Sequence, residues 1–349
     1  MLSDDTLREG LQSPGFAMKL EEKLKMAEFL SKAGIKRALV SYPSAHISEV
    51  RATEQILSKK YFDDTFALGR TLKEDIDLIN DTGANISLHL PFRIDSWDDV
   101  YENIKYACSL GRKVEVGFVD IDMFSIEEII KFAVKMEEFG LDTLQLPDTR
   151  GMLTPDKMFR IIKTVKEKCK IKVEVHCHND HGLAIANAIS GIGAGADYVD
   201  ATIFGMGERN GIADSLTIAD YIENNGIAHE INRGRLRDAY DYMYDLIIEK
   251  IGQNFFVDNF SVYGKNSGIQ TAGTHVAFNS IFTEKNYSVN VYTGKTMIKN
   301  ILGANNIALS DEKLYLVVKM AKDTSVESGK ALKAKDIIKI AGEIDEKSH

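Results

Sequence analysis

Two histidines one residue apart, His176 and His178, close an apolar run that begins at Val173. Alternate side chains of an extended chain share a face, so both imidazoles project to the same side. Such a pair supplies half of a first-row divalent metal site. Asn179, Asp180 and His181 follow directly, so a buried strand ends on a cluster of groups that need something to bind. His181 is read as a loop residue rather than a ligand.

The elements that must position this pair are short β-rich runs alternating with amphipathic helical stretches from residue 1 to about 226. Runs such as KRALVSY, NISLHL and KVEVHCH are strands. KLEEKLKMAEFLSKAG and SIEEIIKFAVKMEEFG repeat apolar residues at three- and four-residue steps and close on Gly, as helices do. Eight strands and eight helices are counted, the arithmetic of a (β/α)8 TIM barrel in the α/β class. No GxGxxG or Walker-type loop follows a strand, which removes the usual nucleotide folds. A small, mainly helical C-terminal domain follows: 227–295 as a linker and lid, 296–349 as two or three amphipathic helices. That third is expected to lack a large core and to pack on the barrel or on a second subunit.

Barrel active sites sit at the C-terminal ends of the strands. The first strand runs into Arg8, Glu9 and Gln12, and the fourth ends at His89. The fifth runs into Asp120 and Asp122, the sixth into Asp148 and Thr149. Asn179 follows the seventh, and Glu208, Arg209 and Asn210 follow the eighth. Strands 1 and 7 flank strand 8, so Glu9, His176 and His178 are neighbours on one rim. One carboxylate and two imidazoles leave coordination positions open, as a catalytic metal needs, and Zn, Mn, Mg and Co all suit them.

The chain has 349 residues, 44% hydrophobic and 27% charged, with a formal net charge of −9. This is a globular composition whose acidity argues against non-specific nucleic-acid binding. Cys108, Cys169 and Cys177 fall at unrelated spacings and suggest neither disulfides nor a thiolate cage. No apolar run reaches the roughly 18 residues that span a bilayer, and no leader is read at the N-terminus. A cytoplasmic protein without a membrane partner is expected.

TLREGLQSPG (6–15), LPDTRGMLTP (146–155), HCHNDHGLAIAN (176–187) and GMGERNG (205–211) together resemble one branch of the metal-dependent aldolase-like TIM barrels. That branch holds the acyl-CoA-dependent 2-isopropylmalate, citramalate and homocitrate synthases, with 3-hydroxy-3-methylglutaryl-CoA lyase as a cousin. The resemblance implies condensation of acetyl-CoA with a 2-oxo acid, with a lyase-type cleavage as the alternative. It implies that Arg8 holds the ketone oxygen and that Glu9, His176 and His178 bind the metal. Gln12, His89 and Thr149 match substrate contacts, and Asn179 and Glu208 are further candidates within the matching motifs. Gly207–Arg209 match the synthases rather than the lyase. VYGKNSGIQTAGTHVAF (262–278) supplies a catalytic His275, and NYSVNVYTGK (286–295) a catalytic Tyr287, with Tyr292 as runner-up. In such synthases these groups reach over a partner subunit, so a homodimer with sites completed in trans is implied.

The departures are specific. Met123 replaces an Arg after the fifth strand, which removes a cation for a second substrate carboxylate; Arg150 is the available replacement. Ile212 replaces an Asn, and Gln270 a His.

Overall fold

The computed structural model describes residues 1–91, 94, 96–261, 265–271 and 286–346. Eight parallel strands close a barrel in sequence order: β1 (Leu2–Asp4), β2 (Arg37–Ser41), β3 (Asp64–Arg70), β4 (Asn85–His89), β5 (Val114–Gly117), β6 (Thr143–Asp148), β7 (Lys172–Cys177) and β8 (Tyr198–Ala201). The ring closes where Ser3 pairs with Asp200 and Asp4 with Ala201. Several strands alternate apolar with polar residues, as in Val114–Gly117 (VEVG) and Lys172–Cys177 (KVEVHC), yet nearly every strand position is buried because parallel barrel strands are covered on both faces.

One helix follows each strand: α1 (Leu20–Lys32), α2 (Ile47–Lys59), α3 (Lys73–Thr82), α4 (Trp97–Ser109), α5 (Ile126–Glu138), α6 (Pro155–Lys168), α7 (Ala184–Gly193) and α8 (Ser215–Asn224). Their ends carry local signals. Ser125 and Glu128 form a reciprocal capping box on α5, and Gly83 closes α3 at φ +88°. The expected eight-fold βα count holds.

The barrel interior holds charge as well as hydrocarbon. Arg37, at the start of β2, is fully buried and donates from Nε and Nη2 to Glu174 Oε2 at 3.0 and 2.8 Å. It also pairs with Glu115, and its guanidinium stacks 4.1 Å from the centroid of the Phe66 ring. Arg37→Met would leave two buried carboxylates without their cation. It is expected to cost about 3–5 kcal/mol of stability in urea unfolding, the usual result of breaking a buried pair from one side.

Helix α9 (Arg233–Lys250) lies against α1, and its Leu236, Ala239, Met243 and Ile247 are part of the barrel's own hydrophobic core. A short α10 (Phe255–Asp258) and a parallel pair, β9 (Ile269–Gln270) and β10 (Asn286–Tyr287), come next. Three helices, α11 (Lys295–Ala304), α12 (Asp311–Ser328) and α13 (Ala334–Glu346), then enclose a small second core around Ile298, Ile301, Val317 and Ile337. This unit rests on the barrel through defined polar contacts. Asn290 Nδ2 donates to Leu11 O at 2.8 Å, Lys322 Nζ to Ala45 O at 2.7 Å, and His46 Nε2 lies 2.8 Å from Asp323 Oδ1. No helix among the described residues is long and apolar enough to cross a membrane.

Candidate active site

The C-terminal rim of the barrel opens into a cavity of about 760 Å³. Arg8, Glu9 and Gln12 reach it from the turn after β1, His89 from β4, Thr149 from beyond β6, and His176 and His178 from the end of β7. Seven residues singled out in the sequence thus meet in one space. The turn that presents Arg8 and Glu9 is held by Asp5. Its carbonyl accepts from Arg8 and Gly10 N–H, and its Oδ1 from Glu9 N–H at 3.1 Å.

Arg8 is buried, and its charge is held by carboxylates. Nη1 pairs with Glu9 and lies 3.8 Å from Asp5 Oδ2, while Nη2 donates to His89 Nε2 at 3.3 Å. Burial and the adjacent Arg8 charge push the His89 pKa well below its ordinary value, so it meets the guanidinium as a neutral acceptor. Gly117 makes room for that ring: a Cβ there would stand 2.9 Å from His89 Cδ2. Glu9 is fixed from the opposite side. Glu208 N–H donates to Glu9 Oε1 at 2.8 Å, and a Cβ on Gly207 would meet the same oxygen at 2.9 Å.

The donor set at β7 fits a divalent cation. His176 and His178 approach with their Nε2 atoms 3.4 Å apart. Burial holds the His176 pKa down to about 4, so the ring is neutral, and Asp200 Oδ2 sits 3.0 Å from its Nδ1. That contact places the proton on Nδ1 and leaves the Nε2 lone pair facing the cavity, the arrangement metal-bound histidines use. Asp5, His176 and Asp200 also bring ligand atoms within 4.8 Å of one another. In that set, however, Asp200 already takes His176 Nδ1 and Asp5 Oδ1 already takes Glu9 N–H. The second oxygens of these carboxylates, Asp5 Oδ2 and Asp200 Oδ1, are buried without a hydrogen-bond partner among the described residues, so this set and the Nε2 side with Glu9 and His178 both present donors at His176.

Among the described residues, the remaining candidates other than Tyr292 lie elsewhere. Glu208 is buried behind Glu9, and its Oε1 accepts from Thr271 N–H at 3.2 Å. Asn179 lines a neighbouring cavity with Phe204, Phe256 and Phe260. Tyr287 does not reach the barrel cavity of its own chain; it lines another one with Pro14 and Ile251. Tyr292, the runner-up, does line the barrel cavity, its hydroxyl donating to Glu49 Oε2 at 2.9 Å. Arg150 is not a free cation, because it pairs with Asp122 and lies 3.6 Å from Asp120. His275 lies outside the described residues.

Asp5, Gln145 and Asp200 are part of the site without having been singled out in the sequence. Gln145 Nε2 donates to Asp200 Oδ2 at 2.7 Å and so steadies the carboxylate behind His176. One signal was available: an Asp inside the otherwise apolar, buried run of β8. Asp200→Asn is expected to lower metal affinity by about 10–100-fold, measured by competition with a chelator, because the carboxyl oxygen that accepts from His176 Nδ1 is exchanged for an amide that can turn a donor toward the ring.

The profile of the family described as HMGL-like matches residues 1–243. The chain belongs to this family. A probable 2-isopropylmalate synthase of Archaeoglobus fulgidus is 28% identical over 97% of this chain and 72% of its own length. The 2-isopropylmalate synthase of Sulfolobus acidocaldarius is 28% identical over 97% of this chain and 94% of its own. A homocitrate synthase of Methanocaldococcus jannaschii is 36% identical over 60% of this chain, and this HMGL-like chain spans 58% of that relative's length. Among solved structures, an HMG-CoA lyase of Bacillus subtilis superposes with a TM-score of 0.62 at 18% identity, covering 74% of this chain and 97% of the lyase. The carboxyl transferase domain of Rhizobium etli pyruvate carboxylase gives 0.63 at 14%, covering 72% of this chain and 47% of the other. Both show the shared barrel fold.

Proposed function

We propose that this HMGL-like chain condenses acetyl-CoA with a 2-oxo acid in a Claisen-type reaction and releases a 2-hydroxy di- or tricarboxylic acid. The observation that carries the proposal is the convergence of Arg8 with Glu9, His176 and His178 in one buried cavity. Condensation is preferred to lyase-type cleavage because relatives matching 97% of the chain are named as synthases.

Glu9, His176 and His178 would hold a divalent ion, which supplies Lewis-acid polarisation of the substrate ketone when bound. Arg8 donates to the ketone oxygen and stabilises the negative charge that grows there as the enolate attacks. Burial strengthens that interaction, and the contacts with Glu9 and His89 fix the fork beforehand. Asp120 N–H donates to Thr149 Oγ1 at 3.0 Å, so the threonine hydroxyl proton is directed to a substrate carboxylate. Gln12 offers an amide to the same group. CoA thioester hydrolysis completes the reaction.

The cavity wall also carries Leu68, Leu72, Leu90, Ile94, Val100 and Val119, beside the polar Thr71, Ser96, Asn103 and Thr296 and the acidic Asp99, which would repel a second substrate carboxylate. Arg70, at its edge, is engaged bidentately by Asp75 at 2.9 and 2.7 Å. The proposed oxo acid therefore carries an apolar side chain. A lower KM for 2-oxoisovalerate than for 2-oxoglutarate is the expected result; the reverse order would contradict this assignment.

His275 and Tyr287 are proposed to deprotonate the acetyl-CoA methyl group from a partner subunit in a homodimer. Mixing inactive Arg8→Ala with inactive His275→Ala protein tests this. In a random heterodimer one site carries both defects and the other neither, so about half of its sites should recover activity. No recovery despite demonstrated subunit exchange would remove the trans arrangement.

A further inference from the structure

A second cavity, of about 860 Å³, lies between α9, α10 and the loop joining α12 to α13. It sits behind the turn that presents Gln12: Pro14 and Gly15 line it, and Gly15 N–H donates to Ser288 Oγ at 2.9 Å. Five of its lining residues are lysines against one carboxylate, in a chain whose net charge is −9. Two of the five are committed. Lys250 is buried between Glu22 Oε2 and Gly329 O, each at 2.9 Å, and Lys265 pairs with Asp258. Lys330, Lys333 and Lys335 are exposed and have no carboxylate partner among the described residues.

The loop that carries these three lysines is fixed by its backbone. Gly329 turns at φ +64°, where a Cβ would strike Lys19 Cγ at 2.9 Å. Ser325 Oγ donates to Lys330 O at 2.8 Å, Leu332 exchanges both backbone hydrogen bonds with Val289, and Lys333 N–H donates to Asp336 Oδ2 at 2.8 Å. The lysines are thus presented at one edge of the cleft by a held strap. Its floor is different in character: Ile251, Phe255, Ile269 and Leu332 are apolar, Tyr287 adds a ring, and Asn254 adds an amide.

We propose that this cleft binds a phosphorylated nucleotide, with the phosphates on Lys330, Lys333 and Lys335 and the base against the Phe255 and Ile251 side of the floor. Several uncommitted cations match a ligand of several negative charges, and the apolar floor matches a flat ring that a bare inorganic anion lacks. The nucleotide end of an acyl-CoA and a free adenine nucleotide share this chemistry; the first source rests on the synthase reading above.

Adenosine 3′,5′-bisphosphate and ATP are each titrated into the full-length protein by calorimetry. Saturable binding of at least one is expected, weakened about tenfold or more in Lys333→Glu/Lys335→Glu and retained in Lys333→Arg/Lys335→Arg. If the acyl-CoA is the source, the ratio of KM for acetyl-CoA to KM for acetylpantetheine rises by a similar factor in the Glu pair. If a free nucleotide is the source, ATP binding is lost in the Glu pair while that ratio stays constant. Neither compound binding the wild-type chain, or undiminished binding in a folded Glu pair, would overturn the proposal. Nucleotide binding in a protein with no turnover on any 2-oxo acid would sink the synthase reading and leave the cleft standing.

Discussion

Arg8→Lys is expected to lower turnover by about 100- to 1,000-fold, the usual consequence of removing one donor to a developing oxyanion. Both side chains are cationic, so a loss of this size would report geometry rather than charge. The Arg8 guanidinium touches Glu9 through Nη1 and His89 through Nη2, and the two contacts set the plane of the fork. A lysine ammonium gathers its three donors at one point on a flexible stem and cannot reproduce the two separate, coplanar nitrogens that meet Glu9 and His89. The KM for acetyl-CoA should change little, because Arg8 acts on the oxo acid. A mild loss confined to acetyl-CoA affinity would mean that Arg8 has another role.

His178→Ala is expected to abolish turnover and bound metal together while the fold persists. His178 stands beyond the end of β7, where its backbone bridges to Ile212, and it lies outside the barrel's apolar core. Truncation thus removes a ligand without opening a cavity among packed hydrocarbon side chains. With only Glu9 and His176 left, a catalytic site of three protein ligands cannot be completed. Elemental analysis should find less than stoichiometric metal, and the thermal midpoint should fall no further than loss of the bound ion accounts for. Full activity in metal-free His178→Ala protein would remove the metal from the chemistry.

The barrel was legible because its signals are local. Period-two and period-3.6 patterns, a capping box at Ser125 and a closing Gly at position 83 each act within a few residues. The rim residues followed once strand ends were identified, since barrel geometry converts a strand end into an active-site position. What escaped depends on contacts distant in sequence. Asp200 meets His176 only because β8 closes against β1 and β7, and Tyr292 enters the cavity only because Asn290 is tied to the carbonyls of Leu11 and Phe16. Arg150 looked available as a cation because its pairing with Asp122, 28 residues earlier, has no local sequence mark. Helix α9 likewise reads as the start of a C-terminal unit in sequence, yet its apolar stripe is buried in the barrel core.

The most direct test is the release of free CoA thiol from acetyl-CoA in the presence of a divalent metal and each of pyruvate, 2-oxoisovalerate, 2-oxoglutarate and oxaloacetate. Thiol release that requires a 2-oxo acid, is greatest with an oxo acid of apolar side chain, and disappears in Arg8→Ala protein is the predicted result. Thiol release that is independent of any oxo acid, or none with the metal-loaded protein, would contradict the assignment of this HMGL-like chain as a Claisen-type synthase.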